Sequence, residues 1–144
     1  MEDYLNLLLE QIDKNQQIYE FAKRERDAIA AGDMGIVMES DAMRREIIVQ
    51  LQSLQSRMEP YLKALPHELE QVSPQLKAQL VTVCKQLDGI IRETIAIDQE
   101  NAIKLRELKE GVGEKIEDIR KGKKALTGYK NTPRKAPKLF DGAV

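Results

Sequence analysis

The stretch Ser73–Lys121 reads SPQLKAQLVTVCKQLDGIIRETIAIDQENAIKLRELKEGVGEKIEDIRK, and its spacing decides the fold. Ser73-Pro74 is a helix start, because a serine hydroxyl accepts from the free N–H groups of a first turn in which proline is tolerated. Leu76, Leu80, Val83, Leu87, Ile90, Thr94 and Ile97 then recur at alternating intervals of four and three, the apolar stripe of a coiled-coil-like helix. After Asn101 the stripe continues, slightly rotated, through Leu105, Leu108, Val112, Ile116 and Ile119. At 1.5 Å per residue an unbroken helix over this stretch reaches about 70 Å, and the helices expected before it only about 40 Å each. The far end of the stripe is therefore expected to need a partner from outside the chain.

Working back toward the N-terminus, residues 2–31 place Leu5, Leu8, Ile12, Tyr19, Ala22 and Ile29 on one stripe, flanked by Leu9 and Phe21 and interrupted by Asn15 and Arg26. That pattern predicts an amphipathic helix with acidic Glu2 and Asp3 at its positive end. Gly32 is read as its left-handed terminator and Asp33 as the cap of the next helix, a connection short enough to force antiparallel pairing. The second helix is expected over about 34–62, on Ile36, Met43, Ile47, Leu51, Leu54, Met58 and Tyr61. Pro60 predicts its kink or early stop. Residues 63–73 read as a connector around Pro66, with Leu65, Leu69 and Val72 folding over the bundle end.

The third helix is expected over 74–121, with Gly111 and Gly113 as its weak point; two glycines cost about 2 kcal/mol of helix propensity relative to alanine. Beyond it, Gly128, Pro133 and Pro137 among scattered basic residues mark 127–144 as a flexible basic tail. The fold class is therefore all-α: an antiparallel helical hairpin or three-helix bundle over residues 1–126, coiled-coil-like, with a long third helix.

Composition agrees. Aromatics make up 4% of the 144 residues and tryptophan is absent, so a thin, mainly aliphatic core is expected. The net charge of −1 conceals an acidic body, in which residues 1–119 carry 15 Lys and Arg against 23 Asp and Glu. Residues 120–144 carry 8 against 1. Such a tail can hold phosphates, but with Tyr129 and Phe140 alone for base stacking, beside an acidic body, nucleic acid is not the expected partner. No run of 18 apolar residues exists, and no apolar N-terminal leader follows basic residues, so stable membrane insertion is not expected and a cytoplasmic location is.

Catalytic material is sparse. Cys84, the only cysteine, is read as a small, partly buried hydrophobe beside the stripe, and a lone thiol suits a reducing compartment. His67, the only histidine, is read as a solvated loop residue. Gly111-x-Gly113 and Gly122-Lys-Lys match no phosphate-binding loop, and no helix carries a Glu-x-x-His pair. No catalytic residue, metal site or cofactor is expected, and the chain is not read as an enzyme.

The order Ile95, Ile97, Glu100-Asn101, Leu105, then Gly122, Leu126 and Tyr129, together with the Gly32-Asp33 turn after a leucine- and glutamate-rich helix, resembles the FlgN-type flagellar export chaperones. The resemblance covers roughly residues 4–130. It implies a cytoplasmic chaperone that holds hook-associated (hook–filament junction) proteins unassembled and delivers them to the type III export gate. Carried onto this chain, it implies client binding at Leu105, Leu108, Val112, Ile116 and Ile119, and contact with the cytoplasmic domain of the gate through Tyr129. The basic tail after Tyr129 departs from the family pattern.

Two further alternatives stay open from the residues themselves. Asn101 either fixes register as a polar seam residue or faces solvent. The uncovered stripe serves either a client or a second copy, making the chain a homodimeric coiled-coil scaffold or adaptor.

Overall fold

A computed structural model describes the backbone of residues 1–130 and the side chains of residues 1–124. The described chain is three α-helices: α1 (Glu2–Ala31), α2 (Met34–Glu68) and α3 (Pro74–Lys130). The all-α class expected from the spacing is the class observed. The chain divides into two compact units, with the boundary between Asn101 and Ala102. α3 contributes Pro74–Asn101 to the first unit and Ala102–Lys130 to the second.

Local chemistry sets the turns. Gly32 adopts φ 73° and ψ 17°, a left-handed conformation that costs glycine nothing. Its N–H donates to Ile29 at 3.1 Å and the Asp33 N–H to Ala28 at 2.8 Å, the paired bonds of a Schellman ending. Asp33 Oδ1 then accepts from the Ile36 N–H at 3.2 Å, so one residue closes α1 and opens α2. At α3, the Ser73 hydroxyl accepts from the Leu76 N–H at 3.2 Å.

In the first unit α1 and α2 are antiparallel and α3 runs alongside, in the direction of α1. Its core joins Tyr4, Leu7 and Leu8 of α1, Leu54 and Met58 of α2, and Leu80 and Val83 of α3. The Tyr61 ring, half-buried at the margin of that core, sits 6.2 Å from the ring of Tyr4. Relative to the sequence stripe the buried face of α1 is rotated. Tyr4, Leu7 and Ile18 are buried, while Leu5, Ile12 and Tyr19 are half-buried at the margin and Leu9 is 46% exposed. With two neighbours rather than one, α1 buries a wider arc than a two-helix seam predicts.

Two boundaries differ from expectation. α2 continues to Glu68 with Pro60 and Pro66 inside it, so the connector shrinks from 63–73 to 69–73. An interior proline removes one backbone hydrogen bond and costs about 3 kcal/mol. Packing of Met58, Tyr61, Leu65 and Leu69 on the core cluster offsets that cost. α3 runs past Lys121 to Lys130, taking in residues 127–130 that composition assigns to the tail, and passes through Gly111 and Gly113 without a break. The expected flexible tail beyond residue 130 lies outside the described residues. Among the described residues no helix is long and apolar enough to cross a membrane.

Candidate functional site

Residues Leu105, Leu108, Val112, Ile116 and Ile119 all lie in the second unit, on the helical backbone of α3. At 3.6 residues per turn they fall within about 80° of arc, so they form one continuous face. Leu108, Val112 and Ile119 are 46%, 57% and 42% exposed, and Leu105 and Ile116 are half-buried. Large aliphatic side chains repeated on one face at this exposure are an unfilled seam. Ile103, 54% exposed, lies on the other side of the helix and does not belong to it. Tyr129 lies within α3, and its side chain is outside the described residues.

Toward the Gly32 turn the first unit buries polar groups among its apolar ones. Arg44 of α2 grips Asp98 of α3 through two bonds, Nη1 to Oδ1 at 2.9 Å and Nη2 to Oδ2 at 2.8 Å. The same Nη1 donates to Glu25 Oε2 of α1 at 3.1 Å. One guanidinium thereby ties all three helices, a role its planar fork suits better than a lysine ammonium would. Burial raises the pKa of Glu25 from its ordinary value, outweighing the attraction of Arg44, while nearby Asp98 and Asp41 add to the rise. Arg44 itself is held charged chiefly by its hydrogen bonds to Asp98.

Asn101 is buried, 4% exposed, and its Nδ2 donates to the carbonyl of Ala22 at 3.1 Å. Of the two readings of this residue, the seam is the one realised. The Arg44 network has no signal in the sequence. Glu25 and Asp98 look like any other surface carboxylates until the three helices are placed side by side.

Elsewhere the first unit has a groove of about 630 Å³, lined by Tyr4, Leu65, Leu69, Leu80 and Val81, with Cys84 at its side. Its one carboxylate, Asp88, is bound by Arg92 at 2.9 Å. Cys84 is exposed, against the partly buried position expected of it, because it lies roughly 70° round α3 from the direction that Leu80 and Val83 bury, at the side of the open groove. His67 belongs to the last turn of α2 rather than to a loop, and is exposed. Among the described residues no group of His, Cys, Asp and Glu converges as a metal site would require.

Comparison with protein-family models, with curated proteins and with solved structures finds no match to this chain.

Proposed function

We propose that the chain is a type III flagellar export chaperone of the FlgN kind, which binds hook-associated proteins in the cytoplasm, keeps them unassembled and delivers them to the export gate. The observation that carries this reading is the seam of Leu105, Leu108, Val112, Ile116 and Ile119, with Leu108, Val112 and Ile119 open to solvent. A folded three-helix unit supplies a stable handle, and the seam supplies aliphatic anchors at helical spacing for a client helix. Binding and release suffice for this role, with no bond made or broken and no cofactor. Tyr129 is the proposed contact with the cytoplasmic domain of the gate, and its replacement by alanine should spare client binding while reducing export.

Co-expression with hook-associated proteins followed by size-exclusion chromatography tests the proposal. A stable complex that disappears in Leu108→Asp/Val112→Asp is the expected outcome. No complex with the seam intact would overturn it. A homodimeric scaffold would use the same seam, and sedimentation across a hundredfold range of concentration separates the two, since a tight dimer buries what a client needs.

A further inference from the structure

The charges around the seam are sorted. At 3.6 residues per turn, Lys104 and Lys115 border one edge of the seam and Lys109 and Arg120 the other. Glu107, Glu110, Glu114, Glu117 and Asp118 all fall on the opposite half of the helix, interspersed with Arg106, Lys121 and Lys124. No acidic residue stands on either border, so both edges are cationic. Some of these charges have partners within the helix, as where Arg120 approaches Glu117 at 3.8 Å, but such pairs are exposed and exchange readily.

Residues at the edges of a helical seam face the edges of whatever docks there, and they set partner choice more than affinity. Two copies of this seam, parallel or antiparallel, would set lysine and arginine against lysine and arginine along both borders. A self-pairing seam would alternate the signs, and this one does not. The same repulsion excludes the chain's own basic segment, residues 120–144, as occupant.

We infer that the seam of the second unit is built for an amphipathic helix of another protein whose apolar stripe is bordered on both sides by aspartate or glutamate. This rests on the reading of the seam as a client site and names the chemistry of the client segment. It selects, among amphipathic helices of equal apolar content, those with acidic borders, and it disfavours the homodimer.

The test uses the full chain and two synthetic helical peptides of 21 residues with identical leucine stripes, one bordered by glutamate and one by lysine, followed by fluorescence anisotropy. The glutamate peptide should bind about tenfold tighter or better, as several exposed charge pairs of modest strength add up to. Lys109→Glu/Lys115→Glu leaves each border with one cation and one carboxylate and should abolish the difference, and raising the salt should shrink it in the wild-type chain. Both substitutions lie on exposed positions, and unchanged circular dichroism confirms the fold. Equal binding of the two peptides, lost in Leu108→Asp/Val112→Asp, would overturn the charge inference and leave the seam as a docking site. Binding unaffected by that double substitution would remove the seam itself. A wild-type dimer dispersed by the same substitution would overturn the inference in favour of a second copy. Tight binding of the glutamate peptide without any complex with hook-associated proteins would uphold the inference and overturn the export-chaperone reading.

Discussion

Asn101 of α3 hydrogen-bonds the carbonyl of Ala22 in α1, 79 positions away in sequence, at 3.1 Å and shielded from solvent. It is the last residue of the first unit, so this bond fixes α3 against α1 at that unit's end. A polar residue on an aliphatic seam gives up burial energy and gains register, because only one sliding position of the helices brings its Nδ2 donor to the Ala22 carbonyl, while its Oδ1 is buried without a partner.

That bond depends on the amide as donor. Asn101→Asp keeps the shape, removes the donor and sets a carboxylate against a carbonyl oxygen in a buried site. The expected loss is about 2–4 kcal/mol at pH 7. A carboxylate buried there has its pKa raised, so the stability lost should return in part as the pH falls and the group takes up a proton. Urea denaturation at pH 7 and pH 4.5 measures both effects, and a loss that grows on acidification would contradict this account.

Arg44 is the second fastener, and its value lies mostly in what its removal would strand. Arg44→Met leaves the Glu25 carboxylate, whose side chain is 10% exposed, without a cation. The expected cost is about 3 kcal/mol at pH 7. The Asp98 side chain is 37% exposed, and water screens it when Arg44 is gone, so Asp98→Asn should cost clearly less than Arg44→Met. Arg44→Lys should recover only part of the loss, since an ammonium cannot hold Asp98 at two points and reach Glu25 as well. Thermal melts of the three variants give the order directly.

Glu25 makes the first unit respond to pH in a definite direction. Its pKa is raised in the folded chain, by burial first, with Arg44 pulling the other way and Asp98 and Asp41 reinforcing the rise. The folded state then holds a proton where the unfolded state has already lost it. The stability this group contributes is complete below its unfolded pKa and is lost as the pH rises through its folded pKa. Compared with Glu25→Gln, the wild-type chain should therefore gain stability as the pH is lowered from 7 toward 4.5. A difference that stays flat or declines would show that the pair with Arg44, and not burial, governs Glu25.

How far the sequence announces these features depends on the range of the interaction. Gly32, Asp33 and Ser73 act on neighbours within five residues, and their roles are readable because backbone geometry at a turn is local chemistry. Pro60 and Pro66 mislead for the complementary reason. Their penalty is local and visible, whereas the burial that outweighs it comes from Tyr4, Leu80 and other residues far along the chain. The rotated face of α1 and the Glu25–Arg44–Asp98 tie likewise belong to the packing of three helices. The seam from Leu105 to Ile119 is legible throughout, since its exposure follows from one helix and its periodicity alone.

The glycines flanking that seam test whether the helix must stay pliable. Gly111 and Gly113 are helical, and a Cβ built on either meets no atom within 4 Å, so alanine fits both without strain. Gly111→Ala/Gly113→Ala removes backbone freedom that only the unfolded segment enjoys, and should stabilise this part of α3 by about 2 kcal/mol. Amide hydrogen exchange across residues 107–117 should slow by roughly tenfold or more, since exchange there reports local opening. If the client docks on a straight helix, the same substitutions lower the cost of ordering and tighten binding. Slower exchange with weaker binding would mean that the seam bends to fit its partner and that the glycines are there to let it.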